Sequence, residues 1–162
     1  MTPGSGPLGA LEASELGRAM REWLWLYPAV EIVHIAGIAL LFGSIAVLDL
    51  RLLGFSRRVS AKRLAAHVLP WTASSFLLIV PSGLMMFTAH ASDFIASGVF
   101  AVKMGLILLA GVNAAVFHMG AFRSADRWDV DAPPPAAARA AAAVSLAGWG
   151  AVIACGRLLA YF

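Results

Sequence analysis

The stretch from Trp25 to Arg51, WLYPAVEIVHIAGIALLFGSIAVLDLR, limits what this chain can become. It is almost wholly apolar and longer than the about 20 residues that a helix needs to cross a bilayer. Yet it carries Glu31 and His34 near one end and Asp49 near the other. Ionisable groups in a membrane helix are costly, so they face a protein interior, a cavity or a cofactor. Any function must account for Glu31 and His34.

Three further apolar stretches follow. With 60% hydrophobic and 13% charged residues among 162, against about 25% charged in a soluble domain, the chain reads as a single-domain polytopic membrane protein. The fold expected is all-α: an integral-membrane up-and-down four-helix bundle, with spans at about 28–49, 69–90, 98–121 and 137–160. The net charge of +3 does not point to nucleic acid, because the basic residues flank the apolar spans. Cys155 is the one cysteine, so no disulfide forms within a chain. Thr2 to Glu22 holds no apolar signal-peptide core.

Residues 1–27 precede the bundle. Residues 1–10, rich in Gly and Pro, are expected to lack fixed structure. Residues 11–26 read as a short amphipathic helix, with Leu16, Met20, Trp23 and Leu24 on one side. It lies on the membrane surface, with Trp23, Trp25 and Tyr27 in the headgroup region, or caps the bundle end. Pro28 suits the first turn of the first span. Arg51, Arg57, Arg58, Lys62 and Arg63 form a basic loop, which the positive-inside rule places in the cytoplasm. Both termini then fall on the outer side of the membrane.

Pro70 and Trp71 open the second span, and Pro81 inside it should kink it or free a carbonyl. Lys103, Asn113 and His118 lie in the third. A polar connector with Pro133, Pro134 and Pro135 leads to the fourth, whose Gly148, Gly150 and Gly156 permit close packing.

Folding the spans up and down compares their depths. Glu31, His34, Ser82 and Lys103 can meet in one layer near the outer end, with Met85, Met86 and His90 close to it. Asp49, Trp71 and His118 form a weaker inner layer. His34 and His118 stand about 20 Å apart along the axis and cannot share a small site. A histidine among Ile, Val and small residues can be a haem axial ligand. Gly37, one turn on, would give a flat ring room. Lys103 or Arg157 could pair with propionates, Glu31 could orient the site, and His90 is a candidate second ligand. Haem b is the favoured cofactor. The same residues could form a buried network that only locks helix register, or a proton relay. Copper on Met85, Met86, Met104, Met119 and the histidines is the weaker metal reading, since methionines in spans mostly pack. No serine has a hydrolase nucleophile's context.

Several of these residues also carry a resemblance. Trp25-Leu-Tyr-Pro28, Glu31-x-x-His34, Asp49-Leu-Arg-Leu-Leu-Gly54, Pro70-Trp71, Ser82-Gly83, Phe100-x-x-Lys103-Met104 and Ala110-Gly-x-Asn113 resemble an uncharacterised family of small bacterial four-span membrane proteins, over about residues 15 to 120. More distantly the layout resembles the J-type protoporphyrinogen oxidases and the copper-resistance D membrane proteins. The former have a first-span histidine and a lysine opening a later span, which His34 and Lys103 match. The resemblance implies haem b and redox chemistry. The functions expected are therefore electron transfer with a quinone or porphyrin, porphyrinogen oxidation, or a non-catalytic accessory role in a larger complex or homo-oligomer.

Overall fold

The computed structural model describes residues 6–159 and 161. Among them every regular element is helical: α1 (Pro7–Glu12), α2 (Glu15–Glu22), α3 (Leu26–Leu53), α4 (Ala61–Ala89), α5 (Ala91–Ala96), α6 (Gly98–Met119), a 3₁₀ turn at Ala121–Arg127 and α7 (Ala136–Leu158). Four of these are long and apolar enough to cross a membrane, the third running on through the 3₁₀ turn.

The first of them, α3, buries Val30, Gly37, Leu41, Leu48 and Leu52 along one stripe. The spacing of seven and four puts these residues on one helical face, and α4 packs there. The helices approach closely at Gly37, where a Cβ would lie 2.8 Å from Ile79 Cγ1 and 3.0 Å from Leu78 Cβ. The room Gly37 leaves is thus filled by α4, and no flat ring fits there. Gly54 ends α3 in the left-handed conformation, φ 108°, which glycine adopts without a Cβ penalty.

Helix α4 starts eight residues before the expected second span. Ser60 caps it by accepting from the Arg63 N–H. Its first two turns bury Ala61, Ala65 and Val68 against Leu48, Leu52 and Trp128, while Lys62, Arg63 and His67 stay exposed. Those outward charges hide an apolar stripe from a composition-based reading. Pro70 therefore does not open the helix but lies inside it, as Pro81 does.

Laterally the long helices stand in the order α4, α3, α7, α6. Helix α3 packs on α4 and α7, and α6 packs on α7, whereas α4 and α6 approach nowhere within 8 Å between Cα atoms. The four-helix expectation thus becomes two pairs, α3–α4 and α6–α7, joined along the α3–α7 seam. Consecutive helices α4 and α6 are bridged at one end by side chains, where Phe87, Phe94 and Phe100 stack with centroids 5.5–6.1 Å apart.

The opposite end is closed by a knot around Arg51. This residue is 2% exposed, so it is not one of the loop's surface charges. Its Nε donates to the Val59 carbonyl at 2.6 Å, and its Nη2 donates to the carbonyls of Asp129 at 2.8 Å and Arg57 at 3.2 Å. Asp129 in turn accepts from the Ser60 hydroxyl and the Lys62 N–H. Slight burial opposes ionisation of Asp129. The Lys62 N–H, the Ser60 hydroxyl and the Lys62 and Arg51 charges outweigh it and hold the carboxyl below the usual carboxylate range.

Residues 7–10 belong to α1, which corrects the expectation that they lack structure; 1–5 lie outside the described residues. Helix α2 spans part of the expected 11–26 helix. It turns Gly17 and Met20 onto the end of α4, and Met20 packs with Val30 and Ala89. Arg21 donates to the Ala89 and Glu12 carbonyls, and Glu12 accepts from the Ser92 N–H. That last bond holds the exposed Glu12 carboxyl below its usual range. Trp23, Leu24 and Trp25 stay exposed.

Candidate functional site

His34 and Ser82 meet across the α3–α4 interface. His34 Nδ1 lies 2.9 Å from Ser82 Oγ and 3.1 Å from the Ile79 carbonyl oxygen. Ser82 Oγ also lies 2.5 Å from the Leu78 carbonyl oxygen. Proton accounting fixes the roles. A carbonyl only accepts, so the Ser82 hydroxyl donates to Leu78, and Nδ1–H donates to Ile79 and to Ser82 Oγ. In a neutral ring Nε2 then carries the lone pair. No residue among those described hydrogen-bonds to Nε2.

The sequence places these groups through Pro81. A proline within a helix leaves the carbonyl four residues back, here Leu77, without its N–H donor. The next two carbonyls, Leu78 and Ile79, receive the Ser82 hydroxyl and the His34 ring. Room for the imidazole comes from Gly83, where a Cβ would stand 3.1 Å from His34 Cε1. So the glycine that accommodates the ring is on the facing helix, not Gly37.

Lys103 and Glu31 lie near enough for their charges to act on His34. Lys103 extends along α7, with Nζ 3.5 Å from where a Gly156 Cβ would be. Glu31 is exposed. The two form no ion pair: among the described residues Lys62 pairs with Asp126, and His90 Nδ1 lies 3.7 Å from an Asp93 carboxylate oxygen. The expected layer is therefore assembled in part, with His34 on Ser82 and the two charges beside them.

The other expected residues are placed elsewhere. His90 joins α4 to α5, 3.7 Å from Asp93 and edge-on to Tyr27 at 6.5 Å. It stands about 12 Å along α4 from Ser82, at 1.5 Å per residue. Arg157 donates to the Tyr161 hydroxyl and lies over its ring. Met85 and Met86 pack against Met20, Val30 and Ala89. No group of three or more His, Cys, Asp or Glu that could hold a metal ion occurs among the described residues. The inner layer does not converge: Trp71 is exposed, His118 bonds to the Ala114 carbonyl of its own helix, and Asp49 turns toward Ser145 of α7.

An apolar groove of about 250 Å³ runs beside the site, lined by Val30, Val33, Leu78, Pro81, Ser82 and Met85 among others. The sequence singles out neither Ile79 nor this groove, and it gives Gly83 no structural role. The Ser-Gly pair after Pro81 was the available signal.

Comparison with family models, with curated proteins and with solved structures returns no match for this chain.

Proposed function

We propose that the protein is an integral membrane b-type haem protein that transfers electrons, with His34 as the axial ligand. The observation that carries this is the placing of His34 Nδ1 3.1 Å from the Ile79 carbonyl oxygen and 2.9 Å from Ser82 Oγ, which assigns the ring proton to Nδ1. Metal-ligating histidines almost always donate their second ring nitrogen to a carbonyl, carboxylate or water, which fixes the tautomer and raises the basicity of the ligating nitrogen. Here Nε2 is the nitrogen left to ligate. Gly83 keeps the ring edge clear, and Lys103 offers a cation to a propionate. Haem would supply the one-electron chemistry. The chain's own residues hold the imidazole, set its tautomer and place one positive charge beside it. Because His90 stands about 12 Å along α4 from Ser82, the proposal rests on His34 alone.

The setting is the inner membrane of a bacterium, with the Arg51–Arg63 loop inside and both termini in the periplasm, since basic loops stay cytoplasmic. Electrons would pass to or from a quinone or a porphyrin in the bilayer. Residues 15–24 would lie at the outer surface, where exposed Trp23 and Trp25 suit the interface. One observation favours a second reading, that of an accessory subunit. Gly148 and Gly150 of α7 face open space, and small residues exposed on a span suit contact with another helix.

Pyridine haemochrome extraction of the detergent-purified chain, made in haem-replete cells, tests the proposal. A b-type haemochrome near one per chain is expected. Colourless protein would overturn it in favour of the accessory reading.

A further inference from the structure

Asp49 is 6% exposed, and its Oδ2 is fully buried with no hydrogen-bond partner. It sits on the α3–α7 seam, beside the Ser145 hydroxyl of α7. An ionised carboxylate there would need a cation, because an unpaired charge is costly to hold away from water. The surrounding elements present none. On its own helix, Arg51 turns to the loop carbonyls of Val59, Arg57 and Asp129, and Glu31 and His34 lie at the far end, His34 about 22 Å away along the axis. On α7 the titratable groups are Arg139, Cys155 and Arg157, with both arginines exposed. On α4, Lys62, Arg63, His67 and His90 are all exposed. On α6, Lys103 lies against Gly156, and His118 bonds within its helix. In the 3₁₀ turn Arg123, Asp126 and Arg127 are exposed.

We propose that Asp49 is a proton-binding site built into the seam between the α3–α4 and α6–α7 pairs, occupied at neutral pH. Binding forms one O–H bond on the carboxylate as one O–H bond of a hydronium ion breaks, leaving water; release reverses both changes. A neutral acid can sit beside Ser145 without a counter-ion. Once the proton leaves, the charge must find water or a metal cation. Because α3–α7 is the contact between long helices that joins the two pairs, proton loss would loosen that contact. The site is independent of haem at His34.

The test is infrared spectroscopy of the full chain in lipid nanodiscs across a pH series, with hydrogen exchange of residues 45–53 and 138–149 read in parallel. The wild type should show a protonated-carboxyl band at neutral pH. It should be lost in Asp49→Asn, displaced in Asp49→Glu and lost in the wild type at alkaline pH, where exchange on both segments should rise beyond the intrinsic base dependence. Should Asp49→Asn fail to fold, carbonyl-¹³C aspartate in the wild type must shift the band. Identical neutral-pH spectra for wild type and Asp49→Asn, or no isotope-shifted band, would overturn the proposal. So would a band that disappears when sodium is added at constant pH, because the occupant would then be a metal cation. Each result can be read whether or not the protein is coloured.

Discussion

His34 makes sense only through its neighbours. A lone histidine in an apolar helix is ambiguous, because it can lock register or ligate a metal. The Ile79 carbonyl and Ser82 remove part of that ambiguity by fixing which nitrogen carries the proton. Ser82→Ala should leave Ile79 as the sole acceptor. The loss of two side-chain hydrogen bonds, His34 to Ser82 and Ser82 to Leu78, should cost about 1–2 kcal/mol of stability, read by thermal unfolding in detergent. In the haem-loaded protein the less basic imidazole should raise the midpoint potential, read by redox titration; an unchanged potential would detach Ser82 from the ligand. Asp129 gives the second residue-scale prediction. Its folded-state pKa is lowered, so it contributes stability above the unfolded value of about 3.9, lost as pH falls through the folded value. Asp129→Asn should destabilise the chain by about 1 kcal/mol near neutral pH, the scale of a lost helix cap. The difference from wild type should vanish in acid, as acid titration of helicity would show. Much of this was outside what sequence can give. The Glu31-x-x-His34 spacing was visible, but the Ile79 acceptor is a backbone atom 45 residues away and has no signature.

At the scale of elements, close approaches decide the packing. At Gly17 a Cβ would meet three backbone oxygens, of Glu12, Thr88 and Leu11, at 2.6, 2.8 and 2.9 Å. Backbone yields less readily than a side chain, so Gly17→Ala should cost about 1–3 kcal/mol, the range for overpacking a tight site. Gly43→Ala, where nothing lies within 4 Å, is the control and should be near neutral. Thermal unfolding of the two variants together checks this. The four long helices were legible in the sequence because each is a sustained apolar run. The first two turns of α4 were not, since Lys62, Arg63 and His67 outweighed Ala61, Ala65 and Val68 in composition. Pro70 also misled: a proline is expected at a helix start, yet α4 continues through it.

For the whole molecule, the lateral order α4, α3, α7, α6 matters most. Hydropathy gives the number of spans and says nothing of which neighbours touch. The proposed topology has both termini on one side and the Gly54–Val59 loop on the other. Single cysteines placed at Ser56 and at Glu15, in a Cys155→Ala background, should be labelled by an impermeant maleimide from opposite faces of sealed vesicles. Labelling from one face would refute the four-span topology.

The proposed haem at His34 is tested by comparing the reduced-minus-oxidised absorbance spectra of wild type and His34→Ala, purified alike and matched for helicity. Sharp reduced α and β bands are expected in the wild type and their loss in His34→Ala. Equal haem in both proteins would contradict the proposal.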